Sequence, residues 1–211
     1  MARESLQEAL DELEAAVVAA GENAVSLLER AVALLEEPDD AAAHEVISGA
    51  NAAQNTHEDI EADVEQLMAL QAPVARDLRL ALAFALVAYH VERVAANAGR
   101  IARLASTSLP PPATRPQLEE MGSEACSAMR AAVAGFASTS AAHNLDLEAA
   151  VLRLQEAEQA VVEQIAAHPG ADTGTALLAA RYLTRVGEHA SAIGRRTAAV
   201  EFGRAPVDFN P

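Results

Sequence analysis

Two carboxylates four residues apart on a helix share one face and offer a metal ion hard oxygen ligands. Glu92, in "AYHVERVAANAGRIA", stands where one member of such a pair would stand, but the positions one turn away are Ala88 and Ala96. Glu188, in "RYLTRVGEHASAIG", likewise has Thr184 one turn before it. A lone carboxylate binds cations weakly, so the plainer expectation for both acids is a polar face paired with Arg93 and Arg185. Upstream, "HEDIE" sets His57 four residues before Glu61, a spacing that could ligate zinc with help from another helix. Two ligands fall short of the set that zinc takes.

The remaining reactive groups do not assemble into a catalytic pattern. The sequence has no glycine-rich phosphate loop, no CxxC and no HExxH. It also lacks glutamate and histidine three apart on two helices, the arrangement of diiron carboxylate bundles. Cys126 is the single cysteine; it lies in the apolar "EACSAMRAAVAGF", where a small buried thiol is expected rather than a reactive one, and it can form no intrachain disulfide. Enzymatic activity is therefore not expected. In "PVARDLR", Asp77 suits the first turn of a helix, where negative charge is favoured. Arg76 and Arg79 near the same end could meet an acidic partner surface, so Arg76, Asp77 and Arg79 are the candidate partner contact.

Helices are the elements that must hold these groups. Ala makes up about a quarter of the 211 residues, aromatics are 3% and Trp is absent, a composition suited to closely packed helices. The formal charge is −16 and every cation is an arginine. Such a balance argues against nucleic acid and anionic lipid, which need a basic patch. The longest apolar run, "LALAFALVAY", is half of what crosses a bilayer, and the charged start lacks the apolar segment of a signal peptide. A cytoplasmic protein without membrane insertion is expected.

Apolar periodicity predicts an all-α chain with helices over 4–36, 40–70 and from Pro73 to about Ala105, then 117–141, 145–167 and 173–202. Asp39 or Asp40 can cap the second, and Pro73 suits the first turn of the third. "ASTSLPPPATRP" reads as a linker. The expected division is a three-helix bundle over 1–105, a Pro-rich linker over 106–116, a second bundle over 117–203 and a tail over 204–211. The halves match without a gap along their third helices: Leu86 pairs with Leu178, Arg93 with Arg185, Val94 with Val186, Ala98 with Ala190 and Ile101 with Ile193. An internal duplication of a three-helix unit follows. In the third helix Leu80, Phe84, Val87, Val91, Val94, Ala98 and Ile101 form a long seam for packing on another helix. Its Ala-lined character also suits a homodimer.

Taken together, "QAPVARDLRLALAFALVAYHVERVAANAGRIA" and "ALLAARYLTRVGEHASAIG" resemble the two occurrences of the PhoU family's third-helix pattern, and "VEFGRAP" resembles its usual close. The resemblance implies tandem antiparallel three-helix bundles and a non-enzymatic regulator of phosphate uptake. It further implies partners: a sensor histidine kinase and the ATP-binding subunit of a phosphate transporter. Many members bind iron or zinc clusters through acid pairs four apart. On that pattern the candidate metal ligands here are Glu92, Glu188 and His189 on the third helices, with Glu58, Glu61 and Glu163 on the second. Ala96 and Thr184 stand where the pattern has acids, and Asn97 stands for a histidine. The motifs are thus about half complete; no resident cofactor is expected, with iron or zinc the metals to test. The rival readings are a metal-binding bundle and an accessory domain of another transporter.

Overall fold

The computed structural model describes residues 2–170 and 173–203, so the expected tail over 204–211 lies outside the described residues. Among the described residues there are six α-helices and no strand: α1 Ala2–Ala33, α2 Asp40–Gln71, α3 Ala75–Ala105, α4 Arg115–Ala137, α5 Asn144–Ala167 and α6 Thr173–Phe202. A short 3-10 turn, Pro112–Thr114, leads into α4.

Local chemistry explains where the helix ends differ from expectation. α1 stops at Ala33 rather than Glu36, its chain tightening as Leu35 and Glu36 donate to the carbonyls of Val32 and Ala33 ahead of Pro38. Asp39 caps α2, its carboxylate accepting from the N–H groups of Ala41 and Ala42 at 2.8 and 3.0 Å. Pro73 is not in the first turn of α3. Ala72 closes α2 in the left-handed region at φ 44°, donating to the Met68 carbonyl, and Pro73 is buried in the connection before α3 begins at Ala75. α4 starts at Arg115 with Pro116 in its first turn, and ends at Ala137 because Thr139, at φ 47°, turns the chain away.

α3 and α6 are the central pair. α3 packs on α1, α2 and α6, while α6 packs on α4, α5 and α3, and α1 meets α4. The expected seam of α3 is buried along its full length, and its counterparts Ala176, Ala179, Leu183, Val186, Ala190 and Ile193 are buried in α6. The duplication is therefore visible as two three-helix bundles whose seams join one continuous core. Phe84 of α3 reaches the other bundle, meeting Phe136 of α4 edge to face with ring centres 6.0 Å apart. Helices come this close because small residues line the crossings. A Cβ on Gly187 would stand 2.4 Å from the Leu154 Cδ1.

Candidate functional site

Each candidate acid has its geometry set by the helix beside it. Glu92 is buried at 4% exposure and ion-paired with Arg93, whose guanidinium is held more basic by that bond. The arginine also lies over the Tyr89 ring, 5.7 Å from its centre. Glu92 and His57 border a cavity of about 20 Å³ between α1, α2 and α3, with Asn23 and Thr56 also on its wall. That is room for about one water. On α6, Glu188 is half-buried and lies 3.5 Å from Arg185.

The other acids stay apart. Glu58 and Glu163, both exposed, accept hydrogen bonds at 3.0 Å from Gln54 and Gln159 of their own helices. Glu61 is exposed on α2. Among the described residues no three His, Cys, Asp or Glu side chains are grouped as a metal ion requires. The donor set does not fit a multinuclear cluster: its two third-helix acids are tied to arginines and its second-helix acids face solvent.

His189 takes a different partner from the one the acid motif suggests. Its Nδ1 lies 3.2 Å from the Nδ1 of His90, joining α6 to α3 across the two bundles. One ring must donate and the other accept, so the pair requires unlike tautomers. Both rings are pushed down to about 4, first by burial. Arg196 and Arg195 add to the effect at His90, while His90, Arg185 and Arg93 add to it at His189. At neutral pH the pair is uncharged within a ring of guanidinium groups. Sequence reasoning missed this pair. The sequence signal is one polar ring on each third helix; it carries no information about the register between the helices.

At the N-terminus of α3, Arg76 is exposed while Asp77 and Arg79 are half-buried. The Arg79 guanidinium lies beside Gly203 at the far end of α6 and its Nε is buried with no hydrogen-bond partner among the described residues. Cys126 is buried and its thiol is pushed up to about 11, by burial and then Glu29, which makes it a poor nucleophile.

Known proteins share this fold. Residues 17–105 match the PhoU domain. A phosphate-specific transport system accessory protein PhoU homolog of Xylella fastidiosa, strain 9a5c, is 27% identical over 197 residues, covering 90% of this chain and 83% of that protein. The crystal structure of PhoU from Pseudomonas aeruginosa superposes with a TM-score of 0.87 at 21% identity, covering 94% of this chain and 99% of that one. The phosphate transport system regulatory protein PhoU from Streptococcus pneumoniae superposes with a TM-score of 0.85 at 21% identity, covering 97% and 100%. The chain thus carries a match to the PhoU domain in its first half, is similar to PhoU homologs along nine-tenths of its length and shares the fold of PhoU crystal structures.

Proposed function

We propose that the protein is a non-enzymatic regulator of phosphate uptake and of phosphate-responsive signalling, an adaptor between a transporter's ATP-binding subunit and a sensor histidine kinase. One observation carries the reading: the alignment with phosphate-specific transport accessory proteins runs along nearly the whole chain, through both copies of the repeat. The helices present no nucleophile beside a base among the described residues, which agrees with a binding role. Among the described residues no helix is long and apolar enough to cross a membrane; contact with the membrane partners from the cytoplasm is part of the proposal. Such contact acts by stabilising the non-signalling state of the kinase. The domain limits proposed for this activity are bundles over 1–105 and 117–203, with a homodimer as the working assembly.

In a strain lacking the gene, phosphate-regulated transcription should lose its response to phosphate, and the tagged protein should co-purify with the kinase or the ATP-binding subunit at high phosphate. An unaltered response together with no association would overturn the adaptor reading. The protein is also proposed to work without a resident metal, because Arg93 and Arg185 occupy the acids that would ligate one. Elemental analysis of protein purified without chelator should find well below one iron or zinc per chain after dialysis; a stoichiometric metal would favour the metal-binding bundle instead.

A further inference from the structure

Charge is unevenly spread over the molecule. α3 and α6 hold nine of the fifteen arginines and four of the thirty-one acids, a net +5, which leaves −21 on the rest of the chain. Three of the four acids of these two helices are also at least half-buried, and the fourth is hydrogen-bonded. Glu92 is buried, Asp77 and Glu188 are half-buried, and Glu201 accepts the Ala141 N–H near the end of α6. The exposed arginines are Arg76, Arg100 and Arg103 on α3 and Arg181 and Arg185 on α6, the last two lying 3.5 Å from Glu158 of α5 and Glu188 respectively.

The same surface carries large apolar side chains. Opposite its buried seam, α3 places Leu82, Leu86, Tyr89, Arg93 and Arg100 on one stripe, at helical steps of four, three, four and seven. Leu178, Arg181 and Arg185 of α6 fall at the positions equivalent to Leu86, Tyr89 and Arg93. Leu82, Leu86, Tyr89, Leu177 and Leu178 are each 38–45% exposed. His90 against His189, and Arg100 over the Tyr182 ring, show that the two helices run antiparallel. Leu82 and Leu86 therefore lie towards one end of the face and Leu177 and Leu178 towards the other, with Arg93 and Arg185 between them. Arginine and tyrosine beside exposed leucines, with arginines outnumbering acids nine to four on the two helices, is the composition of a protein interface rather than of a solvated surface.

We infer that the α3–α6 face is the docking surface for a protein partner whose contact surface is acidic at its centre and apolar towards both ends. A partner of that charge is repelled by the remainder of the molecule and attracted to this face alone, so the charge pattern selects one orientation. The surrounding −21 opposes a nucleic-acid backbone at the same place. This inference rests on the adaptor reading only for the name of the partner.

A photocrosslinking amino acid placed at Leu86 or Leu178 of the full chain in cells tests it, with Leu152 of α5, 61% exposed, as the comparison site. Leu86 and Leu178 should each give a protein adduct whose crosslinked peptide is rich in Asp and Glu, and Leu152 should not. Arg100→Glu with Arg185→Glu should cut the adduct about tenfold at unchanged helicity, while Arg153→Glu on α5 leaves it intact. Absence of adducts at both sites, adducts to nucleic acid, lipid or a second copy of this chain, or indifference to the double reversal would overturn the docking face. The two readings separate cleanly. An acidic partner other than the kinase or ATP-binding subunit keeps the face and removes the adaptor assignment, whereas either of those proteins captured at Leu152 alone does the reverse.

Discussion

Positions 92 and 184 stand at the same height in the two copies of the repeat, and they meet burial in different ways. Glu92 keeps a carboxylate in the wall of the core and holds Arg93 beside it. Thr184 is fully buried, with its hydroxyl directed at the carbonyls of Ala180 and Leu154 at 3.2 and 3.3 Å. One turn further on the roles exchange: the first copy has Ala96 and the second has Glu188, paired with Arg185. Each copy keeps one acid of a two-acid face, on alternate turns, so neither can close a carboxylate pair. The apolar seams agree in both copies because both must fill one core. The polar positions differ because packing does not couple them.

The largest test of that shared core is Phe84→Ala. Loss of a fully buried ring that touches the other bundle should cost about 3–5 kcal/mol and leave a single urea transition. Two separate transitions would show that the bundles are independent. Next, Arg93→Ala should cost about 2–3 kcal/mol by leaving Glu92 buried without its cation, a figure reduced for the arginine's partial exposure. Glu92→Thr copies the second bundle and should stay within about 1 kcal/mol of wild type. Equal costs for the two variants would mean that position 92 does not depend on its ion pair.

The histidine pair gives a pH-dependent contrast. Both rings titrate near 4 in the fold against an ordinary 6.5. Between those values the unfolded chain binds more protons, so stability rises with pH across the window and falls as pH drops through it. The loss from pH 6.5 to 4 should be about 2 kcal/mol, discounted for the part of each ring that remains in water. His189→Asn places in α6 the residue that α3 has at the equivalent Asn97, and should flatten the wild-type slope in urea unfolding followed over that range. An unchanged slope would assign the acid sensitivity to carboxylates instead. The smallest effect is at the connection before α3, where Ala72→Gly should raise stability by about 1 kcal/mol by relieving a left-handed alanine, measured as a rise in Tm.

Much of this was legible along the chain. The seam from Leu80 to Ile101 follows from helical periodicity, and its repetition in α6 follows from a gap-free match, because burial of one face imposes the same spacing on both copies. The start of α3 was less legible. A proline suits a first turn, but the left-handed closure at Ala72 placed Pro73 in the connection, and nothing in an alanine signals that geometry. The candidate site was legible as a set of residues and not as a set of contacts. Glu92 and Glu188 were identified together with their arginine partners, whereas His189 was read with its neighbouring acid and not with His90, ninety-nine residues away.

By itself the sequence determined an all-helical chain, its repeat, its apolar seams and the incomplete state of its acid motifs, since each is written in residue type and local spacing. Only the tertiary structure decided that α3 and α6 lie antiparallel at the centre, that Glu92 is buried while Glu188 is half-exposed, and that arginines from both copies surround one histidine pair. The physical reason is that periodicity specifies which face of a helix avoids water, while the register between two such faces depends on how every other helix packs around them.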